Sequence, residues 1–158
     1  MSTTYKLQHD VDTVIDMLCD PDFLVERSID LGELSADAEV EEEGSKIIIS
    51  MRREVTRDLP KFLAKLFNPQ QVLHLTETWQ QVGDNFVGKS EFTVEGQPVK
   101  VNTDMTLKPS GDGCEYTISY KAKADIPLVG GKVEKFIVSN CEEGTQKEID
   151  FLTKRLAG

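Results

Sequence analysis

Histidine and cysteine are scarce in this 158-residue chain, which has two of the first, His9 and His74, and three of the second, Cys19, Cys114 and Cys141. An odd, scattered set of cysteines makes no disulfide framework and shows no ligand spacing, so neither a disulfide scaffold nor a metal site is expected, and a reducing cytoplasm is the simplest setting. Bases are short as well, 18 Lys and Arg against 28 Asp and Glu, for a formal net charge of −10. Without a basic surface to displace counterions from phosphates, nucleic acid is not an expected partner. No apolar run approaches the roughly 20 residues that span a bilayer. Met1 to Asp12 carries Lys6, Asp10 and Asp12 where an export signal would be apolar. Gly130-Gly131-Lys132 lacks the spacing of a phosphate-binding loop, and no cofactor is expected.

With 39% hydrophobic and 29% charged residues, the chain has the length and composition of one domain over 1–158 with a single core. Its charge is divided. Residues 10 to 43 hold thirteen acids and one base, Arg27, whereas residues 44 to 67 hold six bases against Glu54 and Asp58. The run Glu41-Glu42-Glu43 reads as a solvated hairpin end.

Thr3 to Gln8 reads as a short strand. Val11, Val14, Ile15 and Leu18 then recur at helical spacing after Asp10 or Asp12 as cap, and Asp20-Pro21 starts a second short helix that Gly32 ends. From Leu34 the period changes to two. Val99, Val101, Thr103, Met105 and Leu107 alternate with polar neighbours, and Cys114 to Ala124 repeats the pattern. Lys46–Thr56, Gln71–Val82 and Asn85–Glu95 also alternate, and the short connections between strands, rich in Gly, Pro, Asp and Ser, suit antiparallel hairpins. Beyond Gly130-Gly131 a helical stripe from Val133 through Phe136, Cys141, Gly144 and Glu148 to Leu156 predicts one long helix over about 132–156. The predicted order is one strand, two helices, six strands and a carboxy-terminal helix.

That order resembles the helix-grip fold of the START-related (SRPBCC) superfamily, an α+β fold in which a curved seven-stranded antiparallel sheet wraps the carboxy-terminal helix. The segments Arg57-Asp58-Leu59-Pro60-Lys61-Phe62-Leu63 and Ala124-Asp125-Ile126-Pro127-Leu128-Val129-Gly130-Gly131-Lys132-Val133-Glu134 are similar to an uncharacterised bacterial family, domain of unknown function 2505. The resemblance covers essentially the whole chain. It implies binding or transport of a hydrophobic small molecule, such as a lipid, sterol or polyketide-like compound, between sheet and helix. It implies no particular reaction, because the superfamily includes carriers, cyclases, dehydratases and cochaperones. A cyclase- or dehydratase-like enzyme using Glu77, Tyr116 or Tyr120 as proton donor, and a cochaperone-like protein-binding module, are the alternatives.

The inner faces of the late strands supply the expected lining: Phe86, Phe92, Val99, Val101, Met105, Tyr116, Ile118 and Tyr120, with Trp79 on the preceding strand and Phe136 on the helix. Gly88, Ser90, Thr103 and Gly144 are small where a filled core would favour large residues, although a dry, fully packed core is the alternative. Alternation also carries Arg53 and Glu77 inward. A buried carboxylate is costly without a partner, so pairing with Arg53 or moderate solvent access through the cavity mouth is expected, with Glu77 an anchor for a ligand head or a general acid or base; a pair at the sheet rim, or a bulge that turns Glu77 outward, is the alternative. His74 falls on the outer face.

Residues 57–69 interrupt the strands with a short helix. Leu59, Phe62, Leu63, Leu66 and Phe67 form its apolar side and Arg57, Lys61 and Lys65 a basic one, which suits a lid making transient contact with an anionic membrane surface. The alternative is a helix whose apolar side closes the core permanently.

Overall fold

The computed structural model describes residues 2–158. The chain opens with β1 (Ser2–Leu7), then α1 (Val11–Leu18) and α2 (Pro21–Asp30). The Asp10 carboxylate caps α1 by accepting the Thr13 N–H at 2.8 Å, and Asp20 caps α2 from the Asp22 N–H at 2.9 Å, with Pro21 in the first turn where its missing N–H costs nothing. Six strands follow: β2 (Ser35–Glu43), β3 (Lys46–Thr56), β4 (Gln70–Val82), β5 (Asn85–Val94), β6 (Val99–Ser110) and β7 (Gly113–Ala124). A single helical turn, α3 (Lys61–Ala64), lies between β3 and β4, and α4 (Gly130–Leu156) ends the chain.

All seven strands form one antiparallel sheet in the order β1-β7-β6-β5-β4-β3-β2. The meander runs from β2 to β7, and β1 closes the far edge against β7, with Tyr5 opposite Tyr116. Gly83, at φ 63°, takes the left-handed conformation in the tight turn between β4 and β5. Gly88 in the same hairpin sits opposite Trp79, and a Cβ there would lie 2.9 Å from the indole ring. That missing side chain lets Trp79 bury completely. The expected alternation of β6 is seen in full, Val99, Val101, Thr103, Met105 and Leu107 all being buried.

At 27 residues α4 is about 40 Å long and packs against the inner face of the sheet. Its buried positions are Val133 near the start and Thr145, Ile149 and Leu152 from the middle onward, with half-buried side chains between. The core is correspondingly divided. Ile149 and Leu152 pack with α1, α2 and the Trp79 region, whereas Val133 packs with Leu63, Phe67, Leu73, Val94 and Val99. The helix is clamped near its start by Val133 and in its second half by Ile149 and Leu152. No helix among the described residues is long and apolar enough to cross a membrane.

Candidate functional site

Between the two clamps lies a cavity of about 140 Å³. Strand alternation places Glu77, Ser90, Phe92, Thr103, Met105 and Ile118 on its floor, with Arg53, Tyr116 and Tyr120 around them. Asn140, Cys141, Gly144, Thr145 and Glu148 of α4 form the roof, and Leu18, Leu24 and Arg27 of α1 and α2 close one side. Glycine at 144 helps to leave the space, since a Cβ there would meet nothing within 4 Å. A second, smaller chamber of about 50 Å³ adjoins it beneath α3, lined by Leu59, Leu63, Phe67, Val133, Phe136 and Ile137. Both chambers share Arg57, Leu73, Phe92, Asn140 and Cys141.

The larger chamber is polar for its depth. Arg53 grips Glu33 in a two-pronged pair, Nε donating to Oε1 at 2.9 Å and Nη2 to Oε2, and its Nη2 lies 3.8 Å from Glu148 Oε2. Arg27 Nη2 lies 3.6 Å from the same Glu148 oxygen, while its Nε is buried without a hydrogen-bond partner. Burial opposes the charge of Arg53, but the Glu33 hydrogen bond and the nearby Glu148 outweigh it and hold the guanidinium protonated.

Glu77 is not paired with Arg53 as expected. Its partner is Trp79, whose indole Nε1 donates to Oε2 at 2.8 Å. The reason is register: Glu77 lies opposite Ile49 on β3, four residues from Arg53, which faces Leu73. Four residues of strand are about 13 Å, beyond direct pairing, and Glu33 after α2 reaches Arg53 instead. Burial therefore raises the Glu77 pKa, with the Trp79 hydrogen bond and Arg27 only partly opposing it. Below its ordinary value of 4.5 the carboxyl is neutral in folded and unfolded chains alike. As pH rises, the unfolded chain releases the proton first, so the stability this group contributes falls until its own higher native pKa is passed. Glu77→Gln is expected to remove that decline and to stabilise the protein at neutral pH. Thermal melts of both proteins from pH 4 upward test it, and melting curves that keep a constant offset would contradict it.

Burial likewise pushes the tyrosines up, Tyr116 strongly and Tyr120 with help from Glu148. Tyr120 shares a hydrogen bond with Thr145 across the cavity, and Tyr116 donates to Met105 Sδ at 3.5 Å. The Cys141 thiol, raised to about 11 by burial, is a poor nucleophile at neutral pH. The site thus offers neutral donors, a carboxyl biased towards its protonated form and fixed guanidinium groups. Among the described residues no three His, Cys, Asp or Glu side chains converge as a metal ion would require.

Of the predicted lining, Arg53, Glu77, Met105, Tyr116, Ile118 and Tyr120 meet at the larger chamber, Phe67 and Phe136 line the smaller, and Phe92 borders both. Trp79 and Phe86 instead fill the solid core beside it, Val101 is buried within the sheet, and Phe62 lies under the Lys132 ammonium at 4.1 Å. In the 57–69 segment Leu63 and Phe67 face inward, Leu66 is exposed, and Arg57 lines the cavity rather than joining Lys61 and Lys65 on a basic outer side. Arg27 and Glu148 were the site residues hardest to see. Their only trace is a lone base within the acidic residues 10–43 and a carboxylate on the apolar stripe of α4.

A protein family described as "Protein of unknown function (DUF2505)" matches residues 1–156. No curated protein matches in sequence. Solved structures are similar in fold. TTHA0849 from Thermus thermophilus is 13% identical with a TM-score of 0.67, covering 99% of this chain and 96% of that one. A STAR-related lipid transfer protein fragment from Xanthomonas axonopodis is 15% identical with a TM-score of 0.63, covering 99% and 85%. Ara h 8.0201 is 9% identical with a TM-score of 0.57, covering 98% and 97%. The START-related helix-grip fold is shared by this chain; at such identities only the fold is.

Proposed function

We propose, from the premise that the chain belongs to the family described as protein of unknown function DUF2505, that it binds a hydrophobic small molecule between the sheet and α4. The observation that carries this reading is the gap that α4 bridges between its clamps, a space of about 140 Å³ with Gly144 in its roof. A cavity of about 150 Å³ accepts benzene, so a single ring or a short chain running on into the chamber beneath α3 fits the space as it stands. A lipid, the class named for the lipid-transfer neighbour, or a sterol or polyketide-like molecule requires the α3 segment to swing outward. The Arg57 N–H bonded to the Pro69 carbonyl at 2.7 Å brings the ends of that segment together, as a hinged flap needs.

Uptake of 1-octanol tests the reading. One site per chain by calorimetry, with a rise in Tm as ligand is added, is expected; no heat and no stabilisation would overturn it. Native mass spectrometry would then identify the resident molecule. Leu66 and Leu128 are exposed, the latter at φ 71°, a conformation unusual for leucine. With the exposed Lys61, Lys65 and Lys132 they support transient contact with an anionic membrane during loading. Flotation with anionic vesicles should weaken when both leucines become serine, and undiminished binding would remove that part of the proposal. The protonated bias of Glu77 favours a second reading, an enzyme with Glu77 as general acid, for which Glu77→Gln would bind substrate without converting it.

A further inference from the structure

Arg57 stands at the waist shared by the two chambers. The other two guanidinium groups of the site are matched, Arg53 by Glu33 and Glu148, and Arg27 by Glu148. Among the described residues the Arg57 side chain has no ion pair and no hydrogen bond; its backbone N–H alone is engaged. No carboxylate is paired with it: Glu33 and Glu148 are engaged by Arg53 and Arg27, and Glu77 accepts from the Trp79 indole. Burial first and the neighbouring Arg53 second lower the Arg57 pKa, by more than Glu33 and Glu148 raise it. A second donor is idle elsewhere in the larger chamber, the buried Arg27 Nε. On the other side of the waist the wall is apolar, formed by Leu63, Phe67, Val94, Val99, Val133 and Phe136.

We propose that the ligand is an amphipathic monoanion, a carboxylate whose head pairs with Arg57 at the waist and whose short aliphatic or aromatic tail lies in the cavity under α4 and runs on into the apolar chamber beneath α3. This rests on the hydrophobic-ligand reading and adds to it the charge and position of the head. A guanidinium presents paired N–H donors that match the two oxygens of a carboxylate. A single negative charge suits a single unmatched arginine, whereas a dianionic phosphate would also confront Glu148.

Calorimetry on the full chain at pH 7 with sodium octanoate, 1-octanol and sodium acetate tests it. Octanoate is expected to bind at least about tenfold more tightly than 1-octanol, the size of one charge-assisted pair, and acetate far more weakly than either. Arg57→Met should erase the preference for octanoate while 1-octanol still binds, and Arg57→Lys should keep part of it. Octanol binding as tightly as octanoate, or a preference that survives Arg57→Met, would overturn the inference and leave the pocket reading standing. If neither eight-carbon probe binds, both fall. Should Arg57→Met fail to fold, the octanoate to octanol ratio in the wild type and in Arg57→Lys still decides.

Discussion

Gly144→Leu is expected to make the protein more stable and to abolish uptake of 1-octanol. Glycine within a helix costs about 1 kcal/mol relative to a good helix former, and α4 gains that on substitution. The new side chain also has somewhere to go, because a Cβ at 144 meets nothing within 4 Å and the position opens on the cavity. Burying a leucine there is worth roughly 1.5–3 kcal/mol. At about 2–4 °C per kcal/mol for a domain of this size, Tm should rise by roughly 5 °C or more. The same atoms occupy the ligand's space, so stability and binding must move in opposite directions. A glycine kept only for close packing would behave otherwise, leucine there lowering Tm. Either that result or undiminished octanol uptake would show that the gap under α4 is not the binding site.

Arg53→Met is expected to be among the most damaging single changes. The Arg53 and Glu33 side chains are only 18% and 12% exposed, and removing the guanidinium leaves the Glu33 carboxylate buried without its two donors. Breaking one side of such a pair costs about 3–5 kcal/mol, a fall in Tm of roughly 10 °C for a domain of this size. Glu148 loses a neighbour as well, although Arg27 remains beside it. The double variant Arg53→Met with Glu33→Gln should recover more than half of the loss, because most of the damage comes from the stranded charge rather than from the missing attraction. A cost below about 1 kcal/mol, the range of exposed pairs, would mean that the cluster is wetted by solvent and does not anchor the cavity wall.

The frame of the molecule was legible because its signals are local. The strict alternation over Val99–Leu107 and Cys114–Ala124 placed the inner face of β6 and β7, and the stripe from Val133 to Leu156 placed α4 within two residues of its observed start at Gly130. The charge cluster was not legible, because it is assembled from four distant places: Arg27 on α2, Glu33 before β2, Arg53 on β3 and Glu148 on α4. Alternation says that Arg53 and Glu77 both point inward, and both do. It does not give the register between their strands, and that four-residue offset sends Arg53 to Glu33 and Glu77 to Trp79. Arg57 follows the same logic. In sequence it belongs with Lys61 and Lys65; in space it turns inward because the chain leaving β3 still runs along the cavity.

The most direct test is methyl NMR of the protein titrated with 1-octanol. Binding under α4 predicts saturable shifts at the methyls of Leu75, Met105, Ile118, Ile149 and Leu152, which border the cavity, while the exposed Ile29 and Val82 stay unmoved. Shifts confined to exposed methyls, or none at the cavity when octanol is saturating, would contradict a ligand-binding interior.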